Sequence, residues 1–244
     1  MTTPLVAVEI ISIYPQKSPN KVNLPEKMAQ CTPDMKKAVL DTRDELQSHG
    51  ITLRLSDMFR SREMQLQAHI ENAKKGVFSP MPGGSLHEAG RAFDLDLDSL
   101  LKGNFKLRDF WELGGRHGLV PIVGSPDPTL KESWHFECRG SHALVRQYYL
   151  DGKGGKNMKA YEAMAASSIL AIGVQVDRFQ NQKAAGIQSA LIRLGHELGE
   201  LDGSIGTKTK NALAAAGVTE TDEGAILSKL EEQLRQKFPG EFAS

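Results

Sequence analysis

Two short stretches of this chain concentrate side chains that can hold a metal and move a proton. They are Ser85-Leu86-His87-Glu88-Ala89-Gly90-Arg91-Ala92-Phe93-Asp94 and Glu132-Ser133-Trp134-His135-Phe136-Glu137. Together they supply two imidazoles and a carboxylate, His87, His135 and Asp94. Two nitrogens and one oxygen leave a tetrahedral zinc ion one open position, the arrangement of a catalytic rather than a structural zinc site. Zinc held there lowers the pKa of its water from about 15.7 toward 7. A carboxylate must then carry the water's proton to the leaving amine. Glu132, three residues before His135, is the candidate for that work. On a regular strand, residues three apart face opposite sides, so a turn must join the two. Asp96 and Glu137 are candidates for orienting a ligand histidine through its second ring nitrogen, a solvated acid being the alternative for each. His49, His69, His117, His142 and His196 stand in no such pattern and read as structural or exposed.

In order and spacing these residues resemble the LAS-type zinc metallopeptidases, which include D-alanyl-D-alanine carboxypeptidases and dipeptidases and phage L-alanyl-D-glutamate endopeptidases. The family signature is Ser-x-His-x-x-Gly-x-Ala-x-Asp followed by Glu-x-Trp-His. Ser85, His87, Gly90, Ala92 and Asp94 fill the first part, and Glu132, Trp134 and His135 the second. The resemblance implies one zinc ion held by His87, Asp94 and His135. An upstream run, Phe59-Arg60-Ser61-Arg62-Glu63-Met64-Gln65, is similar to the family's aromatic-Arg-Ser-x-x-x-Gln element. It implies Arg60 in the cleft, facing a substrate carboxylate or the oxyanion formed on attack. A planar, permanently charged guanidinium suits either task. By the same analogy Ser85, Gln65, Ser61 and Trp134 support the site or touch substrate. The match covers about 55–140, and the first fifty residues carry no motif.

The elements that must position these groups follow from local pattern. Segment 15–34 reads as an irregular lead-in. Thr32-Pro33-Asp34 starts a helix, with a hydroxyl N-cap and proline at the first position, and Gly50 suits its end. Alternation predicts strands over 51–56 and 92–97. Helices are expected over 62–75 and 110–117, short strands at 120–122 and 134–138, and a helix over 141–150. The stretch 76–84, with its prolines and glycines, reads as a loop. The mixture is α+β, in keeping with the fold the resemblance implies: a small antiparallel sheet with flanking helices and a zinc cleft.

Asp151 to Asn157 holds three glycines and no apolar group, which reads as a linker. The expected domains are therefore a peptidase over 1–150, a linker over 151–157 and a helical domain over 158–244. In the last of these, Gln188-x-x-Leu191-x-x-Leu194-Gly195, Asp202-Gly203-x-x-Gly206-x-x-Thr209 and Ala212-Leu213 resemble the three-helix peptidoglycan-binding domain found beside wall hydrolases. Gly203 and Gly206 allow positive φ, and Asp202 and Thr207 can bond backbone donors at the turn and helix start.

Thirty basic residues balance thirty acidic ones in 244. A neutral chain has no long-range field for nucleic acid or an anionic membrane. No apolar run nears the roughly 20 residues that span a bilayer, and the first residues lack a basic leader. Two cysteines, Cys31 and Cys138, make no disulfide scaffold and read as free thiols. The expectation is a monomeric zinc peptidase acting on peptidoglycan, either made in the cytoplasm and phage-released or exported by a signal absent from this sequence. It hydrolyses stem-peptide amides as an endolysin-type endopeptidase, the alternative being D-alanyl-D-alanine carboxypeptidase or dipeptidase action. A non-catalytic wall-binding protein on the same scaffold is the reading from another class.

Overall fold

The computed structural model describes residues 2–14, 23–102 and 104–243; residues 15–22, part of the expected lead-in, lie outside them. The chain divides into two compact, sequence-interleaved units. One comprises Leu5–Arg60 and Ala89–Gly140; the other comprises Ser61–Glu88 and Ser141–Ala243, with residues 2–4.

The first unit is α+β. Strands β1 (Val6–Ala7) and β2 (Gln30–Cys31) form an antiparallel pair. Helix α1 runs from Pro33 to Ser48. Thr32 has the extended backbone of an N-cap, but its hydroxyl makes no capping bond. Gly50 closes the helix with φ 75°, as expected of a C′ glycine. Strands β3 (Leu55–Asp57), β4 (Ala92–Leu95), β5 (Val120–Pro121) and β6 (His135–Glu137) make a four-stranded antiparallel sheet in the order β3-β4-β6-β5. Helix α3 (Leu97–Leu100) and helix α4 (Leu107–Arg116) follow β4. One sheet face is apolar. Phe93 of β4 stacks on Phe136 of β6 at 5.9 Å between centroids, and Phe110 of α4 meets Phe136 edge-on at 4.8 Å. All three rings are fully buried, so α4 anchors the sheet through area burial and favourable ring geometry.

Two strand expectations shift. The strand expected over 51–56 is β3 at Leu55–Asp57, because Ile51 is drawn into the end of α1, its N–H bonding the Leu46 carbonyl. The strand expected to reach 97 stops at Leu95, because the Asp96 carboxylate accepts the Ser99 N–H and caps α3. That bond, at 3.4 Å, spends Asp96 on a helix start.

The second unit is helical: α2 (Arg62–Lys74), α5 (His142–Leu150), α6 (Ala160–Ala171), α7 (Gln182–Leu194), α8 (Thr207–Ala215) and α9 (Glu223–Lys237). Helix α5 packs on α6 and α7, and α7 packs on α9. Arg193, Glu241 and Ser141 form a buried polar cluster, with Arg193 Nη2 donating to Glu241 at 2.6 Å and Arg193 Nε to Ser141 at 2.7 Å. The compact units part at Gly140/Ser141, so the glycine-rich stretch 151–157 falls inside the helical unit. Tyr149 stands beside Gly154, and Asn157 donates to the Leu201 carbonyl at 2.9 Å. No helix among the described residues is long and apolar enough to cross a membrane.

Candidate metal centre

Asp94 and His135 are directly opposed across β4 and β6. A sheet places opposed side chains about 5 Å apart at Cβ on one face, and His135 Nδ1 lies 3.0 Å from Asp94 Oδ1. Side chains two apart on a strand share a face, which brings Glu137 alongside: its Oε1 is 3.5 Å from His135 Nε2. Glu137 is fully buried and its other oxygen accepts from Arg139 Nε at 2.6 Å. Burial favours a neutral His135 ring, but Asp94 and Glu137 outweigh it and push the pKa up to about 10.

His87 lies on the 3-10 turn Leu86–Ala89 that leads into β4. Two backbone devices set that turn. Upstream, the Glu88 carboxylate accepts the N–H groups of Gly83 at 3.0 Å and Ser85 at 3.2 Å. Its burial nonetheless raises its pKa to about 6, those backbone bonds pulling the other way. Downstream, Gly90 has φ 62°, and a Cβ there would sit 2.8 Å from Cys31 Cα. Only glycine meets both demands without strain, which is the physical reason for the glycine in Ser-x-His-x-x-Gly. The adjoining Arg91 is fully buried and held by Asp34 at 2.8 Å and the Cys138 carbonyl at 3.0 Å.

His87, Asp94 and His135 each offer one ligand atom, and these atoms lie within 4.8 Å of one another. Two imidazole nitrogens and one carboxylate oxygen are a donor set that zinc takes.

Glu132 meets the turn requirement. Its carbonyl accepts the His135 N–H at 3.0 Å, so residues 132–135 form a turn that ends where β6 begins. Glu132 has φ 66°, the one positive φ outside glycine among the described residues. An L side chain pays about 1 kcal/mol or more for that conformation. Strain of this kind at a partly exposed acid is a mark of functional constraint.

Arg60 follows β3. Its Nε donates to Asp57 at 2.6 Å and its Nη2 lies 3.4 Å from Asp94 Oδ2. Asp57 pairs with Asp94 across β3 and β4, after an irregularity in register. Asp57, Asp94 and His135 thus stand in a row over three strands.

The remaining sequence candidates are placed as follows. Ser85 is buried and its hydroxyl accepts the His87 N–H at 3.3 Å. Gln65 is fully buried and holds the loop before the turn, donating to the Pro80 carbonyl at 2.8 Å and to Ser79 at 3.3 Å. Ser61 is the N-cap of α2, accepting from the Met64 N–H. Trp134 is half-buried and its carbonyl receives the Leu95 N–H at 2.8 Å. Both cysteines are buried free thiols. Sequence reasoning did not single out Asp57, which carries the stronger Arg60 contact, or Tyr14. Burial and then Asp57 raise the Tyr14 phenol pKa, with Arg60 opposing and Asp94 reinforcing the rise. Neither residue lies in a motif that would have flagged it.

No family model and no curated protein matches this chain. Among solved structures, the chain is similar to the LdcB LD-carboxypeptidase, described for its peptidoglycan recognition, with 17% identity and a TM-score of 0.41 over 55% of this chain. It spans 66% of that protein, just under two thirds. A second similar structure is the vancomycin resistance D,D-pentapeptidase VanY from a VanB-type cassette, in complex with Zn(II). There the identity is 22% and the TM-score 0.36, over 44% of this chain and 72% of that one.

Proposed function

We propose that this chain is a zinc-dependent peptidase that hydrolyses amide bonds in the stem peptides of peptidoglycan. The observation that carries the reading is the convergence of His87, Asp94 and His135 donor atoms within 4.8 Å, in the order and spacing the wall peptidases share. Bound there, zinc would supply Lewis acidity and lower the pKa of a water. Glu132, held by its turn next to His135, would take the proton of the attacking water and pass it to the leaving amine. Arg60, steadied by Asp57, donates to the oxyanion that develops on the attacked carbonyl. Glu137 orients His135 through Nε2. The helices beyond 158 are the proposed wall anchor.

Separation at the L-Ala–D-Glu bond, the endolysin-type cut, is the principal reading. A second reading draws on Arg60: a guanidinium beside the metal centre also suits a free C-terminal carboxylate, as carboxypeptidase action requires. Mass spectrometry of muropeptides after digestion by the full chain decides. Separation at L-Ala–D-Glu supports endopeptidase action, and loss of one terminal D-Ala supports carboxypeptidase action. Intact muropeptides after exposure to protein with stoichiometric zinc would leave the non-catalytic wall-binding role.

A further inference from the structure

We propose that a groove in the helical unit binds an extended acidic peptide, and that it thereby selects the stem peptide presented to the metal centre. The second clause rests on the function proposed above; the first does not. A cavity of about 570 Å³ lies between the 78–84 loop and α6. Its apolar surface comes from Phe78, Met81 and Val176, and its charged rim from Lys159, Glu162 and Arg178. Phe78 is 85% exposed and Met81 58%, a large apolar area to leave in water.

The loop that carries them is tied down. Gln65 holds Pro80 and Ser79 from α2, and His69 Nδ1 lies 2.7 Å from the Ser79 carbonyl. A pinned backbone presenting exposed apolar side chains is a preformed binding surface, which loses little order on binding. The rim is net positive. Arg178 faces Glu162 at 3.6 Å, while Lys159 is exposed at the start of α6 and makes no ion pair among the described residues. Two cations against one acid favour an anionic ligand, and the apolar floor favours one with short apolar side chains.

An extended peptide alternating apolar residues with free carboxylates satisfies both. Gly83 and Gly84 line the groove, and the chain continues from them into Ser85 and His87. A peptide lying along 78–84 is therefore led toward a metal ligand. If the groove does this work, α6 belongs to substrate recognition.

The test is binding, measured by calorimetry on the full-length, zinc-loaded Glu132→Ala protein, so that no turnover is needed. The probe is the N-acetylated pentapeptide L-Ala–γ-D-Glu–meso-diaminopimelate–D-Ala–D-Ala, which is net anionic. Adding Phe78→Ala or Lys159→Glu is expected to weaken binding about tenfold each, the usual effect of removing an anchor residue. Amidating the D-Glu α-carboxylate of the probe should abolish the difference that Lys159→Glu makes. Unchanged affinity in both variants overturns the groove. So does equal binding of a GlcNAc–MurNAc disaccharide without peptide. A protein that binds the peptide with this pattern, yet whose unmutated form cuts nothing, overturns the proposed function and leaves the groove standing.

Discussion

The proposed metal centre is built from residues whose roles separate by substitution. His87→Ala or His135→Ala removes a donor atom and is expected to abolish stoichiometric zinc binding at micromolar protein, as read by elemental analysis after desalting. Full zinc content in either variant would mean a misassigned ligand. Glu132 carries an independent signature in its backbone strain. Asparagine tolerates positive φ better than glutamate, so Glu132→Asn should raise stability by about 1 kcal/mol while activity is lost. Denaturant unfolding monitored by circular dichroism measures the first and muropeptide release the second. A destabilised variant would show that the turn needs the glutamate side chain. Cys31 supplies a pH prediction. Burial pushes its thiol up to about 12, with Lys36 pulling it down and Asp34 up. Its thiolate is therefore scarce at every pH below that value, and only the thiolate reacts. Iodoacetamide at pH 8 should leave Cys31 unmodified in the folded protein and label it in denaturant, which peptide mass mapping reports. The clustering of His87, Asp94 and His135 was legible in the sequence because their spacing is dictated by one turn and two paired strands. Asp57 and Tyr14 were not, since only tertiary packing brings them near Arg60 and Asp94.

At the level of elements, the motifs turn out to be constraints on backbone before they are chemistry. Gly90→Ala should cost about 1–3 kcal/mol in unfolding free energy from positive φ alone, with a steric clash against Cys31 added. An unchanged denaturation midpoint would refute that account of the motif glycine. The Gln188…Asp202-Gly203 pattern is likewise structural. Gln188 is buried; its Oε1 accepts the N–H groups of Asp202 and Gly203, and its Nε2 donates to Asp202 Oδ1 and the Ser204 carbonyl. Replacing it with alanine leaves buried partners unmet and should cost roughly 2–4 kcal/mol, measured by the same unfolding experiment. The two glycines of this loop differ in conformation. Gly203 has φ 76°, whereas Gly206 has φ −85° and is itself the N-cap of α8. Thr207 is the first helical residue and makes no cap bond. Glycine at a helix start is compatible with either conformation, so composition alone could not separate the two. The helix starts at Pro33 and Arg62 match the sequence expectation, whereas α4 begins at Leu107, three residues before its expected start. Strand ends were missed where a neighbouring helix captured Ile51 or Asp96.

For the whole molecule, the position of the division matters most. A glycine-rich stretch free of apolar residues reads as a linker, and 151–157 has that composition. The contacts around it are those of packed structure. Val145, Tyr148 and Tyr149 of α5 are buried, and α5 packs on α6 and α7. The Tyr148 hydroxyl accepts the Leu198 and Gly199 N–H groups at 3.0 and 2.8 Å. A chain ending at Lys156 would expose these three side chains, each worth about 1.5–3 kcal/mol when fully buried. It is expected to be insoluble or molten, seen as lost near-ultraviolet dichroism. A soluble, zinc-binding 1–156 chain that cleaves small peptides at the full-length rate would bear out the expected division at 151–157.

The central claim is that His87, Asp94 and His135 hold a zinc ion whose water is deprotonated by Glu132. Its most direct test pairs zinc content with kcat/KM on a soluble muropeptide in the Glu132→Ala protein. The account predicts about one zinc per chain, as in the unmutated protein, with turnover reduced roughly a hundredfold or more. Near-normal turnover with zinc bound would contradict it.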